Sequence, residues 1–200
     1  MNTTANPLYP IFLRMDRLHI LIVGAGEVGY EKLSFLLKSS PNARITIVAP
    51  FVSPEVQSLL SRFGNDIIIH KRRFRHDDVI NHQIVVAATN IHEVNKAVYC
   101  AAKRYEKIVN VADTPELCDF YMGSIVTRGD LKVAISTNGK SPTFAKRVRQ
   151  VLEYVLPEET HQLVNNLKGI RDQLKGEFSF KVKELNKITK SLVEYEGISN

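Results

Sequence analysis

Gly24-Ala25-Gly26-Glu27-Val28-Gly29 sets three glycines at the spacing GxGxxG. Each has a physical task in such a loop. Gly24 permits a tight turn, Gly26 lets the backbone approach a pyrophosphate, and Gly29 lets the following helix pack closely on the strand. The helix that starts there offers free N–H groups and the positive end of its dipole to phosphate oxygens. The motif alone is weak, but its context is strong, because the buried run His19–Val23 leads directly into it and the amphipathic stretch Glu31–Ser39 leaves it. Gly24, Gly26, Glu27, Val28 and Gly29 are therefore read as a dinucleotide-binding loop.

Ligands of a parallel sheet sit at the carboxyl ends of its strands. Pro50 and Phe51 follow the second apolar run, and Thr89 and Asn90 follow the fourth, so these four are placed at the same site. Plain loop packing is the alternative for Pro50 and Phe51, and helix capping the alternative for Asn90. The second run ends Val48-Ala49-Pro50-Phe51, with no carboxylate for the ribose hydroxyls and no adjacent arginine for a 2′-phosphate. The residues alone leave NAD and NADP undecided.

Asp113 ends the fifth run, where position fits either proton transfer or a cap on the Thr114-Pro115-Glu116 turn. Arg128, Lys132, Lys140, Lys146, Arg147 and Arg149 form a basic stretch; each residue singly reads as a solvated surface charge, and only the group is suited to an anionic ligand. A second run, Lys71, Arg72, Arg73 and Arg75, is expected on the surface, away from the strand carboxyl ends. None of the 6 histidines stands at metal-ligand spacing, so no metal site is expected. Cys118 is expected to be structural.

These residues need a scaffold. Apolar runs at 19–23, 44–50, 67–69, 84–88 and 108–111 alternate with helical stretches at 31–39, 55–63 and 94–105, which implies βαβ crossovers and a parallel sheet. Near Asp113 to Glu116 the alternation stops. Phe120–Thr127 and Leu131–Thr137, joined through Arg128-Gly129-Asp130, read as an antiparallel hairpin. Ser141-Pro142 reads as an N-cap with proline at the first helical position. Phe144, Val148, Val151, Leu152 and Val155 share one helical face; Leu163, Leu167, Ile170 and Leu174 form another, and Phe178, Val182, Leu185 and Leu192 a third. A strand pair with three such helices has too little core of its own, so packing on a second copy of the chain is expected.

Composition sets the class. At 200 residues, 44% hydrophobic and 24% charged, the chain is an ordinary globular protein. A mean hydropathy of -0.12 argues against a membrane span. The 2 cysteines suit a reducing compartment, and with no secretory signal expected the address read is cytoplasmic. The net charge of +6 suits an anionic partner. Nucleic acid is not expected, because the basic residues lack aromatic interleaving.

The motifs in order, Pro10-Ile11-Phe12-Leu13, the glycine loop, Ala87-Ala88-Thr89-Asn90 with Val94-Asn95, Asn110-Val111-Ala112-Asp113, Phe120 to Val126, and Val133 to Pro142, resemble precorrin-2 dehydrogenase, the N-terminal module of siroheme synthases. The resemblance covers nearly the whole chain and thins after Pro157. It implies an α/β fold: an N-terminal Rossmann-type parallel sheet (1–115), a middle β-hairpin dimerisation region (116–140) and a small C-terminal helical domain (141–200). It implies NAD-dependent oxidation of precorrin-2 to sirohydrochlorin by a homodimer, and in some members insertion of ferrous iron. The methyltransferase fused to some relatives is expected to be absent. The resemblance favours a functional role for Asp113, in proton transfer or metal handling. It puts Ser124, Asn138, Gly139, Lys140 and Ser141 at the polycarboxylate substrate. Gly123, Thr137 and Asn138 depart from the family pattern and bear on chelation more than on dehydrogenation. The rival reading is an NAD-binding regulatory domain without catalysis.

Overall fold

The computed structural model describes residues 6–63 and 67–190. Five strands, β1 (His19–Val23), β2 (Arg44–Val48), β3 (Ile67–His70), β4 (Ile84–Ala87) and β5 (Ile108–Val111), form one sheet in the order β3-β2-β1-β4-β5. Every pairing is parallel, so all five carboxyl ends lie along one edge. The order reverses between β1 and β4, which opens a crevice beyond β1.

Alternation along each strand sends side chains to opposite faces. Ile20, Ile22, Ile45, Ile47, Ile84 and Val86 pack with Leu33 and Leu37 of α1 (Glu27–Ser39) and Val56 of α2 (Pro54–Leu60). Leu21, Val23, Val85, Ala87, Val109 and Val111 pack with Val98, Ala101 and Ala102 of α3 (His92–Arg104). Burial on both faces explains why β1 and β4 are almost uniformly apolar. The helix read from Glu31 begins at Glu27 instead, directly after Gly26. The glycine loop is short enough that the first helical turn belongs to the motif itself.

The free side of β5 is covered. The Val109 N–H donates to Asp119 Oδ2 at 2.9 Å, and the Asp119 N–H returns a bond to the Val109 carbonyl at 2.8 Å. Asn110 Nδ2 donates to the Phe120 carbonyl at 2.8 Å. Cys118 Sγ, bonded to the Val111 N–H and carbonyl at 3.3 and 3.2 Å, completes this strap, and burial pushes its thiol pKa up.

The chain divides into two compact units, one of residues 1–124 with 136–145 and one of 125–135 with 146–200. The second holds most of the hairpin β6 (Ser124–Arg128) and β7 (Leu131–Ile135), with α4 (Pro142–Val155) largely, α5 (Thr160–Gln173) and α6 (Phe178–Ile188). Strands joined by two residues pair antiparallel, and Gly129 takes φ +58° in the turn. Leu192, read as part of the last apolar face, lies outside the described residues.

Arg128 corrects one expectation. It is neither a solvated surface charge nor a free member of an anion-binding group, because its guanidinium donates from Nε to the Leu156 carbonyl at 2.6 Å and from Nη2 to the Glu153 carbonyl at 2.8 Å. It thereby closes the C-terminus of α4, whose last carbonyls have no helical partner. Its side chain is only 12% exposed. Arg149 is likewise occupied, by Glu153 one helical turn on. Arg128→Ala is expected to destabilise the protein by about 1–3 kcal/mol in urea denaturation. Arg128→Lys should recover only part of this, since an ammonium lacks the guanidinium fork.

Candidate functional site

The glycine loop is fixed by the strand ends around it. The Gly24 N–H donates to the Val48 carbonyl at 3.0 Å, and the Ala88 N–H to the Val23 carbonyl at 2.8 Å. Gly24 has φ +111°, and a Cβ there would lie 2.2 Å from the Ala88 carbonyl oxygen. A Cβ on Gly29 would lie 2.4 Å from the Gly24 carbonyl oxygen. Both positions exclude a side chain for reasons internal to the protein. Gly26 differs: its φ is -90°, and a Cβ there meets nothing within 4 Å. Its missing side chain leaves open space above the start of α1.

That space belongs to a cavity of about 870 Å³. Gly24, Gly26, Glu27, Val28, Pro50, Phe51, Thr89 and Asn90 all line it, so eight residues read from three separate stretches meet at one place. Gly29 is not in the lining; it packs beneath the loop. The α1 N-terminus opens into the cavity with no side chain capping it. An open backbone cradle at a helix start fits a dinucleotide pyrophosphate.

Two supports were not read from the sequence. Ser53 caps α2 through the Val56 N–H at 3.3 Å, and its own N–H donates to the Ala25 carbonyl at 2.9 Å, tying α2 to the glycine loop. Asn95 of α3 is buried and holds Thr89: the Thr89 hydroxyl donates to Asn95 Oδ1 at 2.7 Å, and Asn95 Nδ2 donates to the Thr89 carbonyl at 2.9 Å. The Asn90 side chain does not cap α3, whose N-cap is Ile91.

The second basic run also needs correction. It follows β3, and β3 is parallel to β2, so the run starts at the ligand edge rather than away from it. Arg73, Phe74 and His76 line the cavity. The signal was available, since a third strand read as parallel must end at the same edge as the others.

Asp113 and the candidate substrate residues lie outside the cavity lining. Asp113 sits in the left-handed region at φ +57°, just past β5, with its side chain exposed. The turn after it carries no side-chain cap, so the capping role is not seen. The loop before α4 holds Asn138 at φ +54° and Gly139 at φ +74°. Asparagine tolerates this region better than most residues, so Asn138 holds the turn without strain. Thr137 anchors the loop: its hydroxyl accepts from the Ser141 N–H, and its carbonyl from the Lys140 N–H, both at 3.1 Å. Ser141 Oγ caps α4 by accepting from the Phe144 N–H at 3.2 Å. Among the described residues no cluster of three metal-ligating side chains occurs.

Gly26→Asp is expected to abolish dinucleotide binding in calorimetry while preserving the melting temperature. Open space and ordinary φ accommodate the side chain, and aspartate at an N-cap stabilises a helix by about a few tenths of a kcal/mol over glycine. The new carboxylate occupies and repels the phosphate position.

Residues 11–124, more than half of the chain, match the family model described as "Putative NAD(P)-binding", and residues 128–153 match "Sirohaem biosynthesis protein central". The siroheme synthase of Nitrosomonas europaea is 38% identical over 84% of this chain and 35% of its own length. That of Pseudoalteromonas atlantica is 34% identical over 95% of this chain and 39% of its own length. The chain thus spans little more than a third of the length of these curated relatives. A solved structure of SirC, a precorrin-2 dehydrogenase, superposes with a TM-score of 0.72 at 28% identity, covering 90% of this chain and 89% of that one. The chain therefore belongs to the family described as putative NAD(P)-binding, and beyond that region it is similar to the central part of sirohaem biosynthesis proteins.

Proposed function

We propose that this chain oxidises precorrin-2 to sirohydrochlorin with NAD as the hydride acceptor, as a step of siroheme biosynthesis. The likeness to a precorrin-2 dehydrogenase over 90% of this chain and 89% of that one carries the reading. A likeness confined to the dinucleotide half would fit a regulatory module equally well. The central sirohaem-biosynthesis match at residues 128–153 lies beyond that half.

The oxidation removes a hydride and a proton from the reduced tetrapyrrole. NAD, when bound, takes the hydride, and the protein places the reacting carbon. The open backbone at Gly26 and the α1 N-terminus hold the pyrophosphate, flanked by Glu27 and Val28. Pro50 and Phe51 shape the adenosine side; Thr89 and Asn90 stand at the β4 end. The exposed Asp113 carboxylate, at the same edge of the sheet, receives the proton. A non-glycine residue held at positive φ fits this role, since such positions concentrate at functional sites. The substrate's carboxylates are received by Ser124 and by the loop Asn138, Gly139, Lys140 and Ser141. The Ser141 hydroxyl hydrogen remains free to donate, because Oγ accepts the capping bond.

The assembly is a homodimer, with 1–115 as the nucleotide domain, 116–140 as dimerisation strands and 141–200 as the helical domain. The motive is the apolar surface that α4, α5 and α6 leave uncovered, including Phe144 at 62% and Phe178 at 80% exposure. The place of action is the cytoplasm; no described helix is long and apolar enough to cross a membrane. Sedimentation at micromolar concentration is expected to give a dimer, and a monomer contradicts it.

Incubation with precorrin-2 and NAD tests the activity, with ferrous iron added in a second arm to test chelation separately. Asp113→Asn is expected to lower single-turnover NADH formation by ~10²–10⁴-fold. Asparagine tolerates the left-handed backbone, so the melting temperature and NAD affinity should hold. Turnover close to the unsubstituted protein's removes Asp113 from the chemistry.

A further inference from the structure

The cavity lacks the carboxylate that discriminates against a 2′-phosphate. In a sheet of order β3-β2-β1-β4-β5, the adenosine ribose lies beyond the end of β2. The residues following β2 into the cavity are Ala49, Pro50 and Phe51, none of them acidic. The acidic lining residues, Glu27 and Glu93, belong to the starts of α1 and α3 instead.

A cation approaches this end from the neighbouring strand. β3 pairs with β2 so that His70 stands opposite Val48, and the Ala49 N–H donates to the His70 carbonyl at 3.2 Å. The chain leaving β3 is thereby held against the β2 end, and three residues later Arg73 lines the cavity. Its neighbour Arg72 is committed elsewhere, forming a two-pronged pair with Asp78 at 2.6 and 2.8 Å. That pairing anchors the loop and spends one positive charge. Among the described residues the Arg73 side chain has no ion pair, and it is exposed at the cavity wall. His76 lines the same wall.

We propose that Arg73 is a specificity-determining residue that receives the 2′-phosphate of NADP, so that this chain takes NADP as well as NAD. The inference rests on the reading of the cavity as a dinucleotide site. The guanidinium suits the task, because its planar fork matches a phosphate with paired N–H donors. With no carboxylate at the β2 end, the 2′-phosphate meets no repulsion there.

Isothermal calorimetry with NAD and NADP on the full chain tests this, repeated with Arg73→Ala and Arg73→Lys. The unsubstituted protein is expected to bind NADP within about tenfold of NAD. Arg73→Ala should lower the ratio of NADP to NAD affinity about tenfold or more, with Arg73→Lys between the two. NADP affinity should also fall more steeply with salt than NAD affinity. An unchanged affinity ratio in Arg73→Ala overturns the proposal. So does an equal loss of both ligands, which would indicate contact with a part they share. Binding of NAD with NADP more than about 100-fold weaker overturns it while leaving the dinucleotide site standing. Binding of neither overturns the dinucleotide site itself and the proposal with it.

Discussion

The close approach of three strand ends at Gly24 is the constraint from which the site follows. Its N–H is bound by the end of β2, and its Cα faces the carbonyl of Ala88, just past β4, so closely that no side chain fits. Gly29 then packs on the Gly24 carbonyl, which brings the first turn of α1 down onto the sheet. The helix start is consequently aimed at the crevice where the strand order reverses. Each glycine thus answers a different demand. The first and third satisfy the protein's own packing, and the second leaves the cavity open.

The remainder of the first unit stabilises that geometry. Ser53 ties α2 to Ala25, Asn95 holds Thr89, and the Asp119–Cys118 strap covers the free side of β5. These are polar contacts between elements distant in sequence or between a strand end and the next helix. Each satisfies a backbone group that would otherwise be buried without a partner. The polar machinery around the cavity is therefore structural in the first place, which leaves the loop backbone free for a ligand.

Much of this was legible in the sequence because it is periodic or local. Short, largely apolar runs of three to seven residues marked all five strands of the sheet, and the glycine spacing marked the loop. The start of α1 was read four residues late, because glycines hide the helical period where the motif and helix overlap. Two basic residues were misread for a different reason. Arg128 looked like one solvated charge of a basic stretch, yet it closes a helix whose end lies 28 residues away. Arg73 looked like surface, yet parallel pairing of β3 delivers it to the cavity. Charge is visible in sequence, but its partner is fixed only by tertiary pairing. The exposed apolar faces of α4 and α6 were legible as amphipathic stripes, though the stripe does not reveal what covers it.

The central claim is that the cavity at the glycine loop holds a dinucleotide in one orientation. A crystal structure of the protein soaked with NAD tests it most directly. The account predicts the pyrophosphate over the backbone of Gly26 to Val28, the adenosine ribose beside Pro50 and Arg73, and the nicotinamide toward Thr89 and Asn90. NAD bound outside this cavity, or lying in it with the adenosine at Thr89, would contradict the account.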